Sequence, residues 1–311
     1  MLWLQMEGYE FILGVGFFVF GLALGSFLNV CIYRLPRGLS VVTPGSACPR
    51  CETPIRPWDN VPIVSWLVLR GRCRFCKAKI TPRYLLIELA TALLFLACFL
   101  KFGPTLVALK CAVLSFLLLG LIFTDAETKL LPDALTLPGI VLGLVFSLFV
   151  PVEDVLFDLL PLFSDRAWDP RVLSLLDSLL GGFTGAAFLL AARQLYYWAR
   201  GVEGMGLGDV KLMAMVGTFL GLKLTIVTIF VASIAGAIAG FVAMPVVWHK
   251  RHRRWLTRGH SEEIARARAQ RSAELVFRHH AMPFGVFLGT VALALLFFGH
   301  DLLRWYWYHS F

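Results

Sequence analysis

Charge is scarce in this chain. Only 16% of its 311 residues are Asp, Glu, Lys or Arg, where a soluble domain carries roughly 25%. That excludes an ordinary water-soluble globule, and the 58% hydrophobic share and mean hydropathy of +0.75 agree. Strand rhythm is missing as well. No segment alternates apolar and polar residues as barrel strands do, and lipid admits only helices or closed barrels, so helices remain. Phosphate loops are absent: no Gly-Lys-Ser/Thr follows the glycines near Asp209, and they lack G-x-G-x-x-G spacing. The first apolar run is too long for a removed signal peptide, and Glu7 and Glu10 stand where a signal would carry Lys or Arg. The chain also shows no convincing repeated halves, which argues against a transporter built from repeats.

What is present is long apolar runs. Eight of them read as spans, at roughly 9–32, 84–101, 105–124, 135–151, 179–199, 209–221, 223–247 and 283–299, against a hydrocarbon core about 30 Å thick. The expected fold is all-α, a polytopic membrane bundle of about eight transmembrane helices with a small cytoplasmic loop domain. Its parts are a first helix at 1–33, the loop domain at 34–83 and a core at 84–311. The core carries insertions at 152–178 and 248–281.

Basic residues orient it. Segment 34–83 holds ten Lys/Arg against Glu52 and Asp59, and 248–281 holds nine against Glu262, Glu263 and Glu274. Both are expected in the cytoplasm. Segment 152–178 has six acids against Arg166 and Arg171, and is expected to lie as interfacial helices on the outer face. Segment 261–278 is expected to be helical, on the inner leaflet. The net charge of +9 therefore belongs to loops. It fits topology and anionic membrane lipids, not nucleic acid.

Cys48-Pro-Arg-Cys51 and Cys73-Arg-Phe-Cys76 are two C-x-x-C knuckles twenty-one residues apart. This spacing reads as one tetrahedral structural zinc with four thiolates; the competing reading is two redox or disulfide pairs. Cys31, Cys98 and Cys111 lack partners at ligand spacing and read as small buried hydrophobes.

Two aspartates mark the edges of apolar runs. Asp125 closes 107–124, and Asp209 follows Gly206-Leu207-Gly208 and opens 210–221. An ionisable group at the edge of hydrocarbon is a functional candidate. The span count puts both at cytoplasmic ends. Taken singly, Asp209 could be a helix N-cap and Asp125 an interfacial charge. Asp133, after Pro132, is expected to cap the fourth span. As a pair, two carboxyls ~4 Å apart repel by roughly 4 kcal/mol at an effective dielectric of ~20. They then share one proton, and one acts as base on water while the other protonates a carbonyl oxygen.

Asp125, Leu131-Pro132-Asp133 and Gly206-x-Gly208-Asp209 together resemble the G-x-G-D intramembrane aspartic proteases. Within them the chain is similar to the bacterial prepilin peptidases (type IV leader peptidases). Gly25-Ser-Phe-Leu-Asn29-Val-Cys-Ile-Tyr-Arg34-Leu-Pro36, the double C-x-x-C loop and Met282-Pro283-Phe284-Gly285 carry the same resemblance, in the family's order. Insertions 152–178 and 248–281 depart from the usual pattern without touching the motifs.

The resemblance implies a bacterial inner-membrane enzyme with its active site facing the cytoplasm. Residues 84–311 would be its protease core. It would remove the basic leader of type IV prepilins or pseudopilins after a glycine, with Asp125 and Asp209 as the catalytic pair. It further implies N-methylation of the new N-terminus with S-adenosylmethionine, associated with the N-terminal region and the cysteine loop. Gly25, Asn29, Arg34 and Glu88 are the candidates there. Glu88 either pairs with Arg83 or Arg34 as a structural charge or lines the methyl-transfer site. Lys129 and Lys211 either tune the pair and meet an acidic substrate residue, or anchor at the cytoplasmic surface. The rival functions are a proton-coupled transporter and a membrane scaffold docking a partner through its zinc loop. Gly21-x-x-x-Gly25, Gly181-x-x-x-Gly185 and Gly236-x-x-x-Gly240 are read as helix-packing sites.

Overall fold

The computed structural model describes residues 8–152, 155–156, 169–202, 204–259, 261–279 and 283–310. Nine α-helices are described among them, besides two 3-10 turns: α1 (Gly8–Arg34), α2 (Val64–Val68), α3 (Arg83–Phe102), α4 (Leu106–Thr128), α5 (Asp133–Phe149), α6 (Pro170–Arg200), α7 (Leu207–Leu256), α8 (Glu262–His279) and α9 (Phe284–Ser310). The described residues contain no β-strand, only isolated bridges. The all-α expectation holds, and the chain is a multi-pass membrane protein. Among the described residues six helices are long and apolar enough to cross a bilayer, and α5 is a shorter apolar helix. The count of eight crossings is therefore not established by length.

Local chemistry sets the helix ends. Thr105 caps α4 by accepting from the Ala108 N–H. The helix ends where Lys129 turns left-handed at φ 56° and donates its N–H to the Asp125 carbonyl. It thus runs past the apolar stretch, and Asp125 lies inside its last turn. Pro132 then starts α5, so Asp133 is a first-turn residue and not the expected cap.

The fifth span also differs from expectation. Asp169 caps α6 by accepting from the Arg171 N–H at 2.9 Å, with Pro170 in the first turn. Residues 170–178 therefore belong to the same helix as the fifth apolar run and do not form separate helices. Asp177 and Ser178 there are fully buried. Of the rest of that insertion, residues 153–154 and 157–168 lie outside the described set. The basic segment does form α8, packed against α7.

The sixth and seventh runs form one element, broken at Gly221 (φ 79°, ψ −176°). A methyl side chain at Gly185 would come within 2.7 Å of the Met213 carbonyl oxygen and 2.9 Å of Thr225 Cγ2. Twelve residues of straight helix separate their ends by about 18 Å, so α7 folds back at Gly221 into two arms. Gly181 packs on the same bend, its would-be Cβ 2.7 Å from the Gly221 carbonyl carbon. Gly21 and Gly25 let α1 approach α3, with Ala92 and Glu88 Cα atoms each 2.7 Å from the would-be methyls. Close packing at 181/185 and 21/25 is thus as the spacing implied. The main core joins Leu118 and Leu114 of α4, Leu189 of α6, Leu212 and Phe219 of α7, and Leu288 of α9.

Candidate active site

Three helix ends converge on Asp125. The residue is buried at 5% exposure. Its Oδ2 accepts the Val286 N–H at 2.9 Å, from the first turn of α9. That turn presents unpaired N–H groups and the positive end of the helix dipole, which favours a carboxylate. Gly285 makes the approach possible, since a Cβ there would sit 2.9 Å from Asp125 Oδ2.

Asp209 enters from α7. Gly206, in extended conformation, is the N-cap, so the reading of Asp209 as the cap is corrected: it lies in the first turn. Its side chain is buried at 8% exposure and lies within Coulombic reach of Asp125. Gly208 serves close approach, its would-be Cβ 2.9 Å from Leu131 Cβ. The same Leu131 packs 3.1 Å from the would-be Cβ of Gly285. Leu131 is therefore a wedge between the two glycines that flank the carboxyls. Sequence reasoning gave this leucine no role beyond its motif.

The two lysines separate. Lys129 stands within Coulombic reach of Asp125. Lys211 instead bonds both Asp133 oxygens, at 2.7 and 2.8 Å. Met282 lies outside the described residues.

The four cysteines come together. All four Sγ atoms lie within 4.8 Å of one another, with Cys48–Cys76 at 3.8 Å and Cys51–Cys73 at 4.0 Å. Zn–S bonds of ~2.3 Å in a tetrahedron give S···S edges of ~3.8 Å. A disulfide needs ~2.05 Å, and the four thiols are unbonded; one cluster of four Sγ atoms is the arrangement a single tetrahedral ion takes, and two separate pairs would not require it. The knuckles repeat each other. Cys48 and Cys73 donate N–H to Thr53 and Ala78 carbonyls, and Glu52 and Lys77 both turn left-handed, at φ 55° and 59°. The backbone N–H groups of Cys76 and Phe75 lower the Cys73 thiol pKa. The Thr53 side chain, then its backbone, pulls Cys51 down to about 6. The group fits a metal such as zinc in a closed, structural site. A bidentate Arg74–Asp59 pair at 2.6–3.1 Å staples the loop and holds the Asp59 carboxyl below its usual range. Outside the loop, Cys31, Cys98 and Cys111 are buried.

Gly25, Asn29, Arg34 and Glu88 meet where α1, α3 and the loop join. Asn29 donates to the Tyr84 and Gly25 carbonyls. Glu88 does not pair with either arginine. Its Oε2 accepts the Ile63 N–H at 2.8 Å, and the Ser26 hydroxyl also bonds it. Arg83 holds Glu127 at 2.9 Å, and Arg34 donates to the Ser40 and Gly45 carbonyls. The loop's backbone thus takes the carboxylate from the arginines nearest in sequence.

Residues 19–102 match the Bacterial Peptidase A24 N-terminal domain, and residues 111–241 match the Type IV leader peptidase family. A prepilin leader peptidase/N-methyltransferase of Neisseria gonorrhoeae is 38% identical over 251 residues, 72% of this chain and 80% of that protein. One from Pseudomonas aeruginosa is 38% identical over 250 residues, covering 72% and 78%. One from Aeromonas hydrophila is 33% identical over 313 residues, covering 93% and 92%. No solved structure matches. With relatives this similar along most of both chains, and with the cysteine cluster inside one matched region and both buried carboxyls inside the other, the chain belongs to the type IV leader peptidase family.

Proposed function

We propose that this protein is a membrane-embedded aspartic endopeptidase that removes the leader of type IV prepilins or pseudopilins, then N-methylates the exposed N-terminus with S-adenosylmethionine. The bacterial inner membrane is its place, with the carboxyl pair open to the cytoplasm. The observation that carries the peptidase half is the meeting of Asp125 and Asp209, both buried, at the ends of α4 and α7. The names of the relatives support both halves.

The roles follow from surroundings. The Val286 N–H bonds Asp125 Oδ2 directly, and a hydrogen bond to the charged form favours it, so Asp125 takes a proton from water. Asp209 carries the shared proton and gives it to the scissile carbonyl oxygen. Water oxygen bonds the carbonyl carbon to give a gem-diol; as its C–N bond breaks, Asp125 passes its proton to the amine nitrogen and one diol hydroxyl returns a proton to Asp209, which restores the shared proton. No covalent intermediate forms.

Cys48, Cys51, Cys73 and Cys76 would hold zinc, which supplies a fixed crosslink between the knuckles. The loop then docks on α3 through Ile63 and Glu88. Leader removal by detergent-solubilised protein, read by product mass, tests the scheme. Asp125→Asn and Asp209→Asn each abolish cleavage while the protein still inserts. Near-normal cleavage by either variant would remove the mechanism.

A further inference from the structure

We propose that residues 60–69 of the cysteine loop, with α2 at their centre, are seated among the acyl chains of the bilayer, so that the loop is a membrane-docked domain. The inference goes beyond the peptidase reading and stands independently of it. Asn60-Val-Pro-Ile-Val-Ser-Trp-Leu-Val-Leu69 carries no charge, inside a segment that holds ten Lys/Arg. The fold does not bury this run. Val61, Val64, Leu67 and Val68 are 44%, 55%, 57% and 70% exposed. Val64, Leu67 and Val68 stand at i, i+3 and i+4, so they share one face of α2. A contiguous apolar patch of this kind marks an interaction surface.

Depth identifies what covers it. Arg83 and Lys101 stand at the two ends of α3, about 27 Å apart, close to the ~30 Å hydrocarbon slab. Glu88 lies about 8 Å inward from Arg83. On α1, the would-be Cβ of Gly25 is 2.7 Å from the Glu88 Cα, and Arg34 ends that helix about 14 Å further on. Both rulers put Glu88 inside the slab. The Ile63 N–H is 2.8 Å from Glu88 Oε2, so α2 starts within one side chain's length of that depth. Pro62 lines a cavity together with Ala23 and Ser26 of α1, which places the run against the middle of that helix and not its end. Leu86 and Leu89, beside Glu88, are exposed, as a lipid-facing surface is.

The rim has the matching chemistry. Arg56, Arg70 and Arg72 flank the run and are exposed, which suits anionic headgroups; Arg74 is held by Asp59. Trp58 is exposed, and the Arg56 guanidinium sits 5.6 Å from its ring centre. Aromatic and basic side chains together are the usual furniture of a membrane–water interface. A substrate helix would leave the run bare between turnovers, so lipid is the standing occupant.

The test uses the full chain, zinc-loaded, in nanodiscs of phosphatidylethanolamine and phosphatidylglycerol. Separate variants carry photoreactive benzoylphenylalanine in place of Val64, Val68 or Glu52. Irradiation is followed by mass analysis of the adducts. Phospholipid adducts are expected from positions 64 and 68, and none from the charged knuckle turn at 52. Metal content confirms that each variant is folded; if one at 64 or 68 loses metal, Leu67 takes its place. Added prepilin leaves the lipid adducts as they were. Asp125→Asn in the same background gives the same adducts while cleavage is lost, so this proposal and the peptidase reading fail separately. Absence of lipid adducts along α2, equal labelling at 52, or prepilin adducts that replace those to lipid would overturn the proposal.

Discussion

Asp125 and Val286 are 161 residues apart and joined by a 2.9 Å hydrogen bond, backbone N–H to carboxylate. The bond ties the first turn of α9 to the last turn of α4. It also gives Asp125 a backbone donor from a second helix.

Gly285→Ala tests that arrangement. Its methyl would enter within 2.9 Å of Asp125 Oδ2, so either the carboxyl or the helix must shift. Misplacement of a reacting group by ~1 Å costs roughly 100-fold. The expected result is a fall in kcat of about that size, with KM little changed and normal membrane insertion. Steady-state cleavage of a prepilin measures it, and unchanged kcat would show that α9 does not position Asp125.

Leu131 predicts a rescue. Gly208→Ala places a methyl 2.9 Å from Leu131 Cβ and is expected to depress cleavage. Leu131→Ala loses packing but opens that space. The double variant should cleave better than Gly208→Ala alone, with a coupling of roughly 0.5–3 kcal/mol. A double-mutant cycle on kcat/KM reads it, and strict additivity would mean that the two residues do not meet in the working enzyme.

Acid should loosen the cysteine loop in two stages. Metal binding requires thiolates, so the metal is lost as pH falls from neutrality. The Asp59 carboxyl has its folded pKa below the unfolded ~3.9. Its pairing with Arg74 therefore contributes above that unfolded value and is lost only as pH falls through the lower folded one. Proteolysis within 48–76 that begins between about pH 6 and 4, together with metal release, is the expected pattern; a chelator at neutral pH should reproduce it. A loop equally protected with and without metal would argue that zinc does not hold it.

Much of this was legible in sequence because lipid and metal chemistry leave few choices. The apolar runs became helices, the C-x-x-C pairs converged, and Asp125 and Asp209 came to neighbouring helix ends. Other features depended on three-dimensional closure. Nothing local announces that Val286 will reach Asp125 or that Leu131 will sit between Gly208 and Gly285. Glu88 was weighed against arginines by proximity in sequence, but a backbone N–H of the loop took it. One miss had a local signal: Asp169-Pro170 is a helix start, overlooked because the acidic residues around it suggested a surface segment.

The bend at Gly221 has a consequence for Asp209. The arm bearing Asp209, from Leu207 to that bend, rises only about 21 Å, short of the ~30 Å hydrocarbon slab. Its far end packs backbone to backbone on Gly181. The carboxyl on this arm thus hangs from a half-length helix anchored at its tip by a glycine contact, so a bulkier residue at position 181 would act on the active site from the opposite end of the arm.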